Sequence, residues 1–256
     1  MECIRIIDTN AANIHHHSLC GYKNSKNEGY RKKVEWLKER YTEGLRYKIL
    51  YSDKDGDIGA IEYIPGEYAW RPVEATGYFL IHCIFILPRE YKGKGYGSLL
   101  VEECLKDATM SGRDGVAVVT RKGTWMAGRD LFIKKGFEVA DTMEPDFELL
   151  VKKLSPSAPT PAFVKNDGRS KADYPKGLYM FPSSQCPYSD KAEKEIAETA
   201  KSDYAIDINI VKIGSCRDAA QSPCAFGTFC MVYNGEVIAD HPVSKTRFKN
   251  IMNKLI

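Results

Sequence analysis

Lys92-Gly93-Lys94-Gly95-Tyr96-Gly97-Ser98 stands between an apolar stretch of strand length, Phe79 to Ile86, and a run with helical spacing, Ser98-Leu99-Leu100-Val101-Glu102-Glu103-Cys104-Leu105. Strand, glycine-rich turn and helix in that order form an anion-binding geometry. Glycines let the backbone come close to an anion, the first-turn N–H groups of a helix lack acceptors of their own, and the helix dipole favours negative charge there. A pyrophosphate ligand suits such a turn. Taken alone, the stretch also reads as an ordinary surface turn rich in glycine and lysine.

Spacing separates this loop from other phosphate loops. The P-loop requires four residues between its first glycine and a Gly-Lys-Ser/Thr ending, and the dinucleotide fingerprint requires Gly-x-Gly-x-x-Gly in an early βαβ unit. Neither pattern is present. The stretch resembles Arg/Gln-x-x-Gly-x-Gly/Ala, the acyl-CoA loop of the GNAT N-acetyltransferases, with Lys92 at the position of the Arg or Gln. Downstream, Trp125 to Val139 resembles the second half of that family's signature, a short helix that ends in a Gly-Phe strand start, here Gly136-Phe137. Between the two lies the β-branched run Gly115-Val116-Ala117-Val118-Val119-Thr120. The resemblance implies an α/β (α+β) GNAT mixed-sheet acyltransferase fold.

Bulk properties fit two domains in 256 residues, each large enough for a core. The net charge is +3; residues before 176 hold 27 basic and 25 acidic side chains, and those from 176 onward hold 10 and 9. So even a balance disfavours nucleic-acid binding. No apolar run reaches membrane-spanning length, and Met1-Glu2-Cys3-Ile4-Arg5 does not have the pattern of a secretion signal. Eight irregularly spaced cysteines do not form a secreted disulfide framework, so the expectation is a cytoplasmic protein with no membrane or nucleic-acid partner.

Along the chain, Cys3 to Ile7 reads as a strand and Lys26 to Glu43 as an amphipathic helix. Leu45–Tyr51 and Ile58–Ile64 read as a hairpin across the turn Ser52-Asp53-Lys54-Asp55-Gly56-Asp57, and Asp146–Leu154 as a last strand. Pro65 to Pro72 reads as a long exposed connection that either lines the substrate side or packs as a surface loop. Three prolines in Ser155-Pro156-Ser157-Ala158-Pro159-Thr160-Pro161 make a semi-rigid spacer. The expected division is a domain over 1–154, a linker over 155–176 and a second domain over 177–256.

The second domain reads as strand Leu178–Phe181, helix to about Lys201, strand Ala205–Ile213, a hairpin across Asn234-Gly235 and a helix from Ser244. This βαβββα order resembles the thioredoxin and glutaredoxin fold, with Cys186-Pro187-Tyr188-Ser189 in the position of a one-cysteine redox motif. The whole chain looks like an acetyltransferase with a YoaP-like C-terminal domain. Where thioredoxins carry a cis-proline before threonine, counting back from Asn234 gives Gly227, and the nearest proline, Pro223, sits four residues early.

The GNAT resemblance implies transfer of an acetyl group from the cosubstrate acetyl-CoA to a small-molecule or peptide amine, and homodimers are common in that family. It assigns pantetheine and pyrophosphate binding to Ile84, Phe85 and Ile86 and to the loop Lys92, Gly93, Lys94, Gly95, Tyr96, Gly97 and Ser98. Counting back from Ile86, the family's base position falls on His82, whose imidazole is a candidate proton acceptor near neutral pH; a strand histidine with a satisfied hydrogen bond is the alternative. The family's acid tyrosine is replaced by Phe132. Trp125, at the register of a family asparagine, is a candidate to pack against the cofactor tail or the core. Cys186, ahead of a helix with Pro187 in its first turn, is the candidate thiol of the second domain. Ser189 replaces a resolving cysteine, and Cys216, Cys224 and Cys230 are the other thiols available to close a disulfide. His15-His16-His17 with Cys20 lacks a second ligand pair at zinc spacing, so no metal is expected. The alternative to the enzyme is a CoA-binding or thiol-handling protein with a degenerate C-terminal domain.

Overall fold

A seven-stranded sheet organises the first of two units into which the chain divides. That unit comprises Met1–Ser25, Val34–Ala69 and Val73–Phe163, and the second comprises Lys26–Lys33, Trp70–Pro72 and Val164–Ile256. The computed structural model describes residues 3–23, 25–165 and 173–256.

In chain order the first unit holds β1 (Ile4–Asp8), the greater part of α1 (Glu28–Tyr41), β2 (Arg46–Ser52), β3 (Gly56–Pro65), β4 (Val73–Glu74) and β5 (Tyr78–Ile86). It continues with α2 (Tyr96–Met110), β6 (Gly115–Thr120), α3 (Arg129–Ile133), β7 (Glu138–Met143), β8 (Phe147–Lys153) and β9 (Ala162–Phe163). The sheet order is β1-β2-β3-β5-β6-β8-β7, and every pair is antiparallel except β5 with β6. Alternation along the strands sends Leu50, Ile61, Phe79, Ile81, Val116, Val118 and Leu150 to one face. There they pack on Leu100, Val101, Cys104 and Ala108 of α2 and on Phe132 of α3. Burial of this interface removes a continuous apolar surface from water and provides most of the unit's stabilisation.

A charged cluster sits beside that core. Asp107 on α2 accepts from the Tyr63 hydroxyl, meets Arg46 Nη1 at 2.5 Å and lies 2.9 Å from Lys48 Nζ. Lys48, itself buried, also reaches Glu103 at 2.8 Å and Asp8 at 3.1 Å.

The proline-rich stretch packs rather than running free as far as Phe163. Ala158 and Phe163 are buried, Tyr78 donates its hydroxyl to the Pro159 carbonyl at 2.9 Å, and β9 pairs with β4. Residues 166–172 of the expected linker lie outside the described residues.

The second unit carries β10 (Leu178–Pro182), α4 (Tyr188–Tyr204), β11 (Ile208–Ile210), α5 (Cys216–Ala220), β12 (Phe229–Tyr233), β13 (Glu236–Ala239) and α6 (Lys245–Met252). Its sheet runs β11-β10-β12-β13, with β10 and β11 parallel and the other pairs antiparallel. The β12–β13 turn places Asn234 at φ 49° and Gly235 at φ 84°, the conformation the Asn-Gly pair favours. Ser244 caps α6 by accepting from Arg247 N–H. Two features depart from the sequence reading. The strand expected over Ala205–Ile213 is only Ile208–Ile210, and the short helix α5 was not anticipated; Ser215 Oγ caps it by accepting from Asp218 N–H.

The connection Pro65 to Pro72 is not the exposed segment the sequence suggests. Trp70 and Arg71 belong to the second unit and are buried, with the Arg71 guanidinium 5.3 Å from the Phe226 ring centroid. Apolar and π-face contacts with Trp and Arg outweigh the polar look of the stretch.

Candidate functional site

The site begins where β5 and β6 part. Their parallel pairing covers only Tyr78–Ile81 against Gly115–Val118, after which β6 continues along β8 to Thr120 and β5 continues along β3 to Ile86. Beyond Ile81, the β6-facing edge of β5 has no strand partner among the described residues. The cause lies in the register: Glu62 pairs with Cys83 and Tyr63 with Ile81, so His82 is an extra residue in β5. A bulge sharpens local twist and bends its strand, and here it opens the fork.

A cleft of about 460 Å³ fills the fork. Ile84, Phe85 and Ile86 form one wall, and Lys92, Gly93, Gly95, Tyr96, Gly97 and Ser98 form another. The structure therefore brings together nine of the eleven residues expected to bind cofactor. Lys94 is not among the lining residues; its Nζ lies 5.7 Å from the Tyr91 ring centroid. Trp125 also lies outside the lining, exposed in a loop at φ 76°.

Gly95 sits at the N-cap of α2 with φ 85°, a conformation that favours glycine. The first intrahelical bond runs from Leu99 N–H to the Gly95 carbonyl at 3.1 Å, so the N–H groups of Tyr96, Gly97 and Ser98 have no acceptor within the helix. No side chain caps this terminus and its first turn holds no acidic residue. The helix end is thus kept open to an exogenous anion, with Lys92 and Lys134 on the cleft as countercharges.

Tyr91, Ala127, Leu131 and Lys134 also line the cleft, and the sequence reading did not single them out. Leu131 and Lys134 share one face of the helical turn by their i, i+3 spacing, and a Cβ on Gly97 would meet Leu131 at 3.5 Å, so that spacing was the available signal. The Tyr91 hydroxyl donates to Asp55 at 2.5 Å, and this bond holds the Asp55 carboxyl below the usual carboxylate range.

His82 is the bulge residue, and its side chain is buried. Nδ1 lies 3.3 Å from Glu62 Oε1, and the ring centroid is 6.3 Å from that of Trp36 on α1. It is not among the residues that line the cleft, although Ile84 two positions on is. Glu62, on the neighbouring strand, was not anticipated; only the pairing register reveals it. Phe132 is fully buried and packs edge-on against Phe137 at 5.5 Å, so this position serves the core.

In the histidine cluster, His17 Nδ1 lies 3.0 Å from Asp57 Oδ1, and the Ser18 N–H donates to Asp57 Oδ2 at 2.6 Å. The His15 and His16 rings lie with centroids 3.9 Å apart and tilted by 45°. Among the described residues no group of three or more His, Cys, Asp or Glu is arranged to hold a metal, and no helix is long and apolar enough to cross a membrane.

In the second unit, Cys186 precedes α4 and lines a cleft of about 340 Å³ together with Ser189. Cys224 and Cys230 are buried next to each other; burial pushes the Cys230 thiol well up, and the Cys224 thiol donates to the Phe229 carbonyl at 3.5 Å.

Comparison with known proteins adds the following. Residues 207–250 match the YoaP-like family model. The chain is 27% identical over 236 residues to the uncharacterized N-acetyltransferase YoaP of Bacillus subtilis (strain 168), covering 91% of this chain and 90% of that protein. Among solved structures, it is similar to the PaiA N-acetyltransferase of Thermoplasma acidophilum in complex with coenzyme A, at 18% identity and a TM-score of 0.43, over 59% of this chain and 99% of that one. It is also similar to a GNAT-family acetyltransferase of Brucella melitensis in complex with acetyl-CoA, at 16% identity and a TM-score of 0.39, over 62% and 92% of the two chains.

Proposed function

We propose that the first unit is a GNAT-type N-acetyltransferase domain that transfers the acetyl group of acetyl-CoA directly to a small amine, amino acid or peptide. The observation that carries this reading is the fork between β5 and β6, which leads onto the uncapped glycine terminus of α2. The open edge of Ile84–Ile86 offers main-chain groups to an amide-bearing chain, and the N–H groups of Tyr96, Gly97 and Ser98 receive a pyrophosphate. In this reading main-chain N–H groups hold the phosphates, and Lys92 and Lys134 supply countercharge.

Acetyl transfer to an amine requires a proton acceptor for the ammonium group and hydrogen-bond donors for the carbonyl oxygen. His82, paired with Glu62, takes the first role in this reading, and main-chain N–H groups of β5 take the second. Phe132 supplies no proton, so the departing thiolate leaves as such or takes its proton from water; thiolates are stable enough for that. The second unit, with its β11-β10-β12-β13 sheet and α4 behind Cys186, we read as thioredoxin-like.

A second reading is favoured by one observation. His82 has no exposed side-chain surface, as expected of a CoA-holding protein with little turnover.

Calorimetric titration of acetyl-CoA and CoA into the purified protein, followed by CoA-thiol release over a panel of amines, amino acids and thiols, tests both. Binding with release on an amine supports the transferase and identifies its acceptor class. Binding without release on any acceptor supports the holding protein, and absence of binding overturns both.

A further inference from the structure

Trp125 differs from the other two tryptophans in both backbone and surroundings. Its backbone is left-handed at φ 76°, a conformation that bulky side chains rarely adopt, and it is 43% exposed, whereas Trp36 and Trp70 are 5% and 1% exposed. Packing alone explains neither property. A large apolar ring gains by burial, and a left-handed non-glycine residue is a signature of segments whose conformation serves a ligand.

The segment around Trp125 is held at both ends and loose between them. Upstream, the Arg121 guanidinium lies 4.7 Å from the Phe147 ring centroid and 2.8 Å from Asp146 Oδ1, and the Lys122 N–H donates to Asp146 Oδ2 at 3.3 Å. Downstream, Ala127 packs on the core and lines the cofactor cleft, and Gly128 stands at the N-cap of α3. Between these anchors, Gly123, Thr124 and Met126 make no main-chain to main-chain hydrogen bond among the described residues. Trp125 is two residues from Ala127, roughly 7 Å of chain at most, so its ring is within reach of the cleft.

The sides of that cleft differ in chemistry. Ile84–Ile86 and the α2 terminus present main-chain groups, whereas Ala127 and Leu131 present apolar surface beside Lys134. In the cofactor reading above, on which this inference rests, the first two take pantetheine and pyrophosphate, and the nucleoside end falls to the third. We propose that Gly123–Met126 is a strap that closes over bound acetyl-CoA and stacks the Trp125 indole on the adenine ring. The base then covers ring surface that is otherwise open to water. Stacking needs no polar partner, so Trp125 makes the site select a carrier with a base over a shorter pantetheine carrier.

The test titrates acetyl-CoA and S-acetyl-4′-phosphopantetheine, which lacks the adenosine, into the full-length protein and its Trp125→Gly and Trp125→Tyr variants. Glycine suits the left-handed backbone, so Trp125→Gly removes the ring without opposing the turn. Trp125→Gly is expected to raise the acetyl-CoA Kd about tenfold, to leave the phosphopantetheine Kd unchanged, and to be rescued by Trp125→Tyr. In the wild type, acetyl-CoA shields the indole emission from acrylamide, and the phosphopantetheine ester does not; Trp36 and Trp70 are too buried to obscure this. The proposal is overturned if wild type and Trp125→Gly bind acetyl-CoA equally, if the variant loses affinity for both ligands alike, or if acrylamide quenching is the same with and without acetyl-CoA. A wild-type protein that binds no acetyl-CoA overturns the cofactor reading itself, a result distinct from all three.

Discussion

His82 holds Nδ1 3.3 Å from the Glu62 carboxylate, across the β5–β3 pairing, and neither side chain has an appreciable surface to solvent. The two meet because His82 is inserted in β5 opposite the Glu62–Tyr63 step, so the feature that opens the cofactor fork also places an imidazole beside a carboxylate. A carboxylate in this position fixes the orientation of the ring.

If the pair accepts the acceptor's proton, His82→Gln lowers kcat by about 100-fold, in the range of lost general-base catalysis, and leaves acetyl-CoA affinity unchanged. Glu62→Gln lowers kcat less and also spares acetyl-CoA affinity. Calorimetry and steady-state kinetics on one preparation separate these effects. Unchanged kcat in both variants would remove the pair from the mechanism and leave it as a satisfied buried contact.

The loop glycines divide by role. Gly95, at φ 85°, carries a conformational requirement, and Gly95→Ala is expected to cost about 1–2 kcal/mol of stability. Gly97 has no such requirement, and a Cβ there makes only ordinary contact with Leu131 at 3.5 Å. Gly97→Glu is therefore the clean probe: the melting temperature stays within a few degrees while acetyl-CoA affinity falls at least tenfold, because the new carboxylate lies where the helix end receives phosphate. Unchanged affinity would refute the loop assignment.

The Asp107 cluster sets an acid limit on the first unit. Burial works against the Asp107 charge, but hydrogen bonds from Tyr63, Arg46 and Lys48 outweigh it and hold the carboxyl below the usual range. Burial likewise opposes the Lys48 charge, and bonds to Glu103, Asp107 and Asp8 outweigh it and hold that ammonium above its ordinary value. A carboxyl depressed on folding contributes stability that is present above its unfolded pKa, near ~3.9, and is lost as pH falls through the lower folded value. Asp107→Asn should cost about 3 kcal/mol near neutral pH, the low end for breaking a buried pair, because Lys48 keeps Glu103 and Asp8. Urea melts at pH 7 and pH 3 check this. The gap between wild type and variant narrows at the lower pH, and a gap that is constant with pH would mean that Asp107 is not the titrating group.

Much of this was legible in the residues, for reasons that differ by element. Gly115–Thr120 is strand from end to end because a run of β-branched side chains is buried on both faces. The loop glycines and Ile84–Ile86 reveal themselves by local chemistry. Glu62 does not, because its meeting with His82 depends on a bulge in pairing between strands roughly 20 positions apart, and a single sequence carries no register. Trp70 and Arg71 were misjudged for a related reason: a polar, proline-bounded segment looks exposed until a distant partner, here Phe226 and Gly227, covers it. The ladder at Ile208–Ile210 stops early although the Val211 and Ile213 N–H groups still donate to the Met180 and Pro182 carbonyls, because Pro182 has no N–H to return a bond.

Gly227 is the position where that distant contact can be tested. It stands at φ 75°, and a Cβ built on it would come within 2.7 Å of the Trp70 carbonyl oxygen and 2.8 Å of the Arg71 Cα. Both contacts are with backbone, which cannot swing aside as a side-chain tip can. This explains why the residue before Thr228 is glycine rather than the proline of the resemblance: proline needs φ near −65° and adds the same atoms to an occupied space. Gly227→Ala is therefore expected to destabilise the protein by about 1–3 kcal/mol, the range for a strained backbone residue, and Gly227→Pro by more. Differential scanning calorimetry reads the loss, and acetyl-CoA titration serves as the control, since Gly227 is not among the residues that line the cofactor cleft. A Gly227→Ala variant as stable as wild type would mean that Trp70 and Arg71 do not rest on Gly227, and the glycine would then need another explanation.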